Sequence, residues 1–164
     1  MYDKLDKAGY YINKAYSIIG AIFLSIIIVS CSVQTFTRYV LNDSQVWTEE
    51  TARYAFVWTI MLGATVVTRN WSHASLDFVV KKFSIPVQRV FEALTYLLVM
   101  ACGVVMVIYG VQLVVKVWGS VSTACHYPIS LVYLSIPVSG IAIAYHSFVH
   151  FLGVWFKKEK GAEN

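Results

Sequence analysis

The chain has 164 residues, of which 58% are hydrophobic and only 13% charged, and its formal net charge is +4. This length and composition leave no room for a soluble catalytic domain beside the apolar segments. The basic residues stand at the ends of those segments, where they suit phospholipid headgroups and membrane orientation better than nucleic acid.

Long stretches of the sequence lack any Asp, Glu, Lys or Arg. Residues 15–37 and 93–115 are two such runs of 23 residues, and residues 117–156 form a third run of 40. About 20 apolar residues in a helix cross the hydrocarbon core of a bilayer. The sequence therefore predicts an all-α integral membrane protein with four transmembrane helices in a single domain of residues 1–164. The predicted spans lie at about residues 15–37, 49–69, 92–116 and 129–155.

The second predicted span carries charges at its start. Its uncharged run, residues 54–68, has only 15 residues, so a crossing helix must include the charged residues before it. Glu49 and Glu50 then lie in the first turn, where carboxylates interact favourably with the helix dipole. Arg53 has the spacing to pair with either glutamate. We therefore predict a structural polar cluster of Glu49, Glu50 and Arg53 near the headgroups.

The same span has a face of small residues beside aromatic ones. The small residues are Ala52, Ala55, Thr59 and Gly63, and the aromatic residues are Tyr54 and Trp58. Membrane helices associate through close backbone packing, because lipid is as apolar as leucine. The small stripe is predicted to bind a partner subunit, and the alternative is that it packs against another span of this chain.

Two shorter features follow. Leu76, Val79, Val80 and Phe83 repeat at the spacing of one helix face, which predicts a short amphipathic helix in the interface plane between spans two and three. The last uncharged run is too long for one helix, so a loop or re-entrant turn around residues 126–128 should precede span four. Pro137 is a candidate for a kink in that span.

The positions of lysine and arginine predict the orientation. They cluster in the N-terminal head, in the loop between spans two and three, and in the C-terminal tail. These residues are Lys4, Lys7 and Lys14; Arg69, Lys81, Lys82 and Arg89; and Lys157, Lys158 and Lys160. Because cytoplasmic loops carry the excess of basic residues, both termini and the middle loop are predicted to be cytoplasmic.

The histidines and cysteines lack the spacing that haem, metal or thiol chemistry needs. His146 and His150 lie on the last span and the other spans contain none, so two helices cannot supply the axial ligands of a membrane haem. The pair could hold half a metal site, but no Cys, His or carboxylate in the spans completes it. Three cysteines without a C-x-x-C motif favour ordinary packing. We therefore predict no catalytic residue, no cofactor and no metal.

The sequence also lacks the residues that this chain would need to drive transport by itself. The sequence has no G-x-x-x-x-G-K-[ST] motif for ATP. A small multidrug exporter needs a carboxylate inside the membrane, and spans one, three and four contain no Asp or Glu in their interior. Glu49 and Glu50 stand at the membrane end, beside an arginine. The sequence therefore predicts a subunit of a larger assembly.

A motif around the second span extends this prediction. It reads W-T-E-E-x-x-R-x-x-x-x-W-x-x-x-L-G-x-x-x-x-x-R-x-x-x-H from Trp47 to His73, after Arg38-Tyr39 and before a Tyr133-x-x-x-Pro137 pair. In motif, length and layout the chain resembles the small membrane subunit of tripartite ATP-independent periplasmic (TRAP) transporters. The candidate residues for a subunit interface or structural polar cluster are Glu49, Glu50, Arg53, Trp58, Gly63, Arg69 and His73.

The resemblance implies a division of labour. In this family a large membrane subunit carries the substrate and sodium sites and moves as an elevator. A soluble periplasmic protein captures an organic acid such as a C4-dicarboxylate or sialic acid. We therefore expect a non-enzymatic scaffold subunit of a secondary, cation-coupled transporter in the bacterial inner membrane. Its expected partners are the large subunit, transiently the binding protein, and membrane phospholipid, with no nucleic acid. The alternatives are a membrane anchor of a redox complex and a self-sufficient four-span transporter.

Overall fold

The computed structural model describes residues 2–42, 45–70 and 85–160. Within these ranges the chain is helical and contains no β-strand, apart from an isolated bridge between Val121 and Pro128. The helices are α1 (Tyr2–Val40), α2 (Val46–Asn70), α3 (Ile85–Lys116), α4 (Ile129–Tyr133) and α5 (Ser135–Lys160).

Among the described residues, three segments are long and apolar enough to cross a membrane. They are Asp6–Val40, Val90–Lys116 and Ile129–Gly153. The 25 residues of α2 would span about 37 Å, but its charged ends make it less apolar than the other three. With 39 residues α1 is about 58 Å long, so it must extend beyond a hydrocarbon core of roughly 30 Å.

The centre of the fold is α5. It packs along α3 and α2 and more lightly on α1, while α1 packs mainly on α2. In the most apolar stretch of Ile129–Gly153, half of the residues are buried inside the protein. The corresponding share is 6% in Asp6–Val40 and 17% in Val90–Lys116. The order α1–α2–α5–α3 is therefore an open layer rather than a closed four-helix bundle, and it leaves α1 and α3 with large exposed apolar surfaces.

Glycines bring the backbones of α3 and α5 together. A Cβ atom on Gly103 would lie 2.9 Å from the Ala144 nitrogen and from the Gly140 oxygen. One on Gly110 would lie 2.8 Å from Cδ of Pro137. Such close approach matters because helix association in lipid depends on van der Waals packing rather than on the hydrophobic effect.

The last predicted span is divided into α4 and α5. The interruption falls at Leu134, one turn before Pro137. Proline has no N–H to bond the carbonyl of Tyr133, four residues earlier, so the irregularity arises there rather than at the proline itself. Pro137 then occupies the first turn of α5, where a missing donor costs little.

Several sequence predictions lie outside the described residues. They are the amphipathic helix at 76–83, the candidate residue His73, and the basic residues Lys81 and Lys82. Two helices begin earlier than the predicted spans that they contain. The helix α1 begins at Tyr2 and α3 at Ile85, whereas the spans were predicted to begin at residues 15 and 92.

Candidate functional site

The Glu50 carboxylate joins α2 to the α3–α4 loop, which we define as residues 117–128. Its Oε1 accepts a hydrogen bond of 2.7 Å from the Tyr54 hydroxyl. Its Oε2 accepts hydrogen bonds from the backbone N–H groups of Ala124 and Cys125, at 3.1 and 3.0 Å. The Ser122 hydroxyl lies beside the same carboxylate. One side chain therefore accepts hydrogen bonds from two loop donors, and the Cys125 N–H also lies 3.3 Å from the Ser122 hydroxyl oxygen.

The α3–α4 loop has a defined conformation of its own. Gly119 and His126 both take positive φ values, 85° and 56°, which turn the chain sharply. The Ser122 N–H donates to the Tyr127 oxygen at 2.9 Å, and the Ile129 N–H donates to the Ser120 oxygen at 3.0 Å. The loop is therefore folded, and it packs against the first turns of α2.

Glu49 has a different role from its neighbour. It pairs with Arg53 at 2.7 Å, but the two side chains are 58% and 67% exposed, so the pair adds little stability. The prediction that either glutamate could pair with Arg53 is wrong for Glu50. Adjacent helical residues point about 100° apart, and that rotation directs Glu50 to the loop and Glu49 outward.

The small-residue stripe of α2 is also divided. Ala55 is 4% exposed and packs inside the subunit. Gly63 is exposed, and a Cβ atom there would meet nothing within 4 Å. Trp58 stacks on Phe23 of α1, with ring centroids 5.5 Å apart. Trp58 thus serves packing within this chain, while Gly63 faces away from it.

Arg69 forms a second polar contact at the other end of α2. Its Nη2 donates to the Asp6 carboxylate at 2.9 Å and to the Asp6 carbonyl at 3.0 Å. Its backbone oxygen lies 3.1 Å from His150 Nε2. A Cβ atom on Gly9 would overlap the Arg69 guanidinium, so a larger residue there would displace this flexible side chain from its present position. Arg69 therefore connects α1, α2 and α5, and Asp6 was missed because it lies 63 residues away in the sequence.

The two histidines of α5 lie beside this contact. His150 stacks on Tyr96 of α3, with centroids 5.5 Å apart. His146 is fully buried next to Gly9, and its ring nitrogens have no hydrogen-bond partner within the described part of the chain. No group of three or more His, Cys, Asp or Glu side chains suited to a metal occurs among the described residues.

The candidate residues therefore do not converge on one site. Glu49, Glu50 and Arg53 lie at the start of α2, and Arg69 lies about 28 Å away along the helix. Between them, the helix contributes apolar packing. The open apolar notch between α1, α2 and α4, about 250 Å³, has no charged side chain in its lining. The contacts among the described residues fix helices to one another.

The match with known proteins decides the family. Residues 16–157 match a family model described as "Tripartite ATP-independent periplasmic transporters, DctQ component". The chain belongs to this family. It is accordingly a small TRAP transporter subunit and a multi-pass membrane protein, and TRAP components of this kind are transport subunits rather than enzymes. This assignment replaces the redox-anchor alternative.

Two curated relatives are similar over part of the chain. The "Sialic acid TRAP transporter permease protein SiaT" of Haemophilus influenzae (strain 86-028NP) is 28% identical over 102 residues, which cover 62% of this chain and 17% of that protein. The "Sialic acid TRAP transporter small permease protein SiaQ" of Vibrio cholerae serotype O1 (strain ATCC 39315 / El Tor Inaba N16961) is 30% identical over 67 residues. Those residues cover 41% of this chain and 39% of the Vibrio protein.

Proposed function

We propose that this chain is the scaffold subunit of a sodium-coupled TRAP transporter in the bacterial inner membrane. It assembles with a large elevator-type membrane subunit and, transiently, with a periplasmic substrate-binding protein. The complex imports an organic acid of the C4-dicarboxylate or sialic acid class. Both similar proteins are named for sialic acid, which favours that substrate.

The observation that carries this proposal is the open helix layer. Glu50 and Arg69 make polar contacts near the two ends of α2, and residues 51–68 between them contain no carboxylate. A carboxylate within a membrane span commonly marks an ion or substrate pathway, so its absence from this part of α2 favours a subunit that does not transport by itself. A layer with exposed apolar faces on α1 and α3 suits a static partner of a larger membrane protein.

Reconstitution tests the function directly. Proteoliposomes that contain this chain alone should take up no labelled sialic acid or C4-dicarboxylate. Adding the large subunit and the binding protein should give uptake driven by an inward sodium gradient. Uptake by this chain alone would contradict the scaffold role, and uptake that is indifferent to sodium would contradict the coupling.

The topology belongs to the same proposal. We place four spans in the membrane, with the Glu50 end of α2 in the periplasm and both chain termini in the cytoplasm. In a variant without Cys31, Cys102 and Cys125, single cysteines introduced at Asp43 and at Glu159 should react from opposite sides with a membrane-impermeant reagent. Labelling of both positions from the periplasm would exclude this arrangement.

Gly63 is the position on α2 where a partner backbone can approach. Gly63→Leu should lose the co-purified large subunit, because it adds bulk to an open surface without touching the rest of this chain. The chain itself should still insert at its normal level. Ala64→Leu is the matched control, because it adds similar bulk at the adjacent exposed residue of α2, about 100° around the helix, and it should keep the partner. If Gly63→Leu retains the partner at wild-type yield, α2 is not the interface.

A further inference from the structure

The first turns of α1 separate their charges between two faces. We call residues 6–14 the N-terminal arm. Asp6 and Gly9 face the protein, where Arg69 binds Asp6 and passes over Gly9. Lys7 and Lys14 are exposed. The one carboxylate of residues 6–14 is paired with Arg69 although its side chain is 48% exposed, and the other charged residues of the arm, Lys7 and Lys14, lie on the outer face.

The outer face also carries two tyrosines. Tyr10 and Tyr11 are 56% and 70% exposed, and their rings pack edge to face with centroids 5.8 Å apart. Lys7, Tyr10, Tyr11 and Lys14 stand at i, i+3, i+4 and i+7, so they form one continuous stripe along the helix. We call these four residues the lysine–tyrosine stripe.

We propose that the lysine–tyrosine stripe binds the headgroups of anionic phospholipids in the cytoplasmic leaflet. Lysines next to a membrane span are attracted to anionic lipid, and tyrosine rings favour the depth of the headgroups. The charge-free run of residues 15–37 begins directly after Lys14. The two lysines therefore stand at the end of the first span, where lipid phosphates lie. The placement in the cytoplasmic leaflet rests on the topology proposed above.

The Asp6–Arg69 contact gives the stripe a fixed direction. Arg69 is 12% exposed and holds the arm through both the carboxylate and the backbone oxygen of Asp6. Arg69 holds the opposite side of the arm, and the exposed lysines are directed away from α2 and α5. The site is therefore built by tertiary contacts and not only by basic composition.

A fluorophore on the arm provides a local test. The full chain with Ala8→Cys as its only cysteine is labelled with bimane and placed in phosphatidylcholine vesicles, since Ala8 is exposed beside the stripe. Headgroup spin-labelled phosphatidylglycerol should quench this label at much lower concentration than spin-labelled phosphatidylcholine. Removing positive charge with Lys7→Gln and Lys14→Gln should weaken the anionic preference about fivefold for each lysine.

Lys116→Gln is the matched control, because Lys116 is an exposed lysine at the end of α3, remote from the arm. It should leave the preference unchanged. Equal quenching by the two lipids, or an unaltered preference in the Lys7→Gln/Lys14→Gln variant, would overturn the proposal. If the Lys7→Gln/Lys14→Gln variant no longer co-purifies with the large subunit while its lipid preference is unaltered, the stripe is a protein interface and the proposal is overturned. Both leaflets of the vesicles have the same lipid composition, so the quenching result does not depend on the topology. An error in the proposed topology would be detected by the cysteine labelling, and an error in the proposed lipid site by the quenching.

Discussion

Replacing Glu50 with glutamine is expected to release the α3–α4 loop from α2. The substitution removes the charge and one of the two acceptor oxygens, so the N–H groups of Ala124 and Cys125 lose a charged partner. We expect the unfolding midpoint of the detergent-purified chain to fall by about 5 °C. Amide hydrogen exchange at Ala124 and Cys125 should become faster, while exchange in α3 and α5 stays unchanged.

Glu49→Gln is the matched control for this prediction. Glu49 is the adjacent glutamate, and it pairs with Arg53, an exposed side chain. The unfolding midpoint of the Glu49→Gln variant should stay close to that of the wild type, and so should its amide hydrogen exchange at Ala124 and Cys125. If Glu49→Gln and Glu50→Gln behave alike, the loop is not held by the Glu50 carboxylate.

Gly103→Ala is expected to destabilise the contact between α3 and α5. The added Cβ would lie 2.9 Å from the backbone of α5 at Gly140 and Ala144, and backbone atoms cannot rotate away as a side chain can. Overpacking of this kind costs about 2 kcal/mol, which exceeds the roughly 1 kcal/mol that alanine gains over glycine in a helix. Urea or detergent titration of the purified chain should show the loss.

Gly63→Ala is the control, because it makes the same chemical change on a helix surface with nothing within 4 Å. It should be neutral or stabilise the isolated chain by up to about 1 kcal/mol. Equal stability of Gly103→Ala and Gly63→Ala would show that α3 and α5 are packed less closely than the structure gives.

The helical class and the apolar segments were predictable from composition, because long charge-free runs leave few alternatives. Partners distant in sequence were not. Glu50 meets residues 74 and 75 positions away, and Arg69 meets Asp6 across 63 positions. Helical spacing offers Glu50 both Arg53 and Tyr54, but it compares residues on one helix and says nothing about loops that fold over it.

The small residues show the same limit. Helical periodicity places Ala55 and Gly63 on one side of α2, about 12 Å apart along its axis, but it does not say which of them meets a neighbour. Only the packing shows that Ala55 is buried and Gly63 open. The packing likewise shows that Gly103 lies against the backbone of α5.

Co-purification tests the scaffold role most directly. Affinity-tagged chain, expressed with an untagged large TRAP membrane subunit and extracted in mild detergent, should bring down that subunit in equal amount. The pair should elute as one species in size-exclusion chromatography. A chain that purifies without the large subunit, and elutes alone or as its own dimer under the same conditions, would contradict the account.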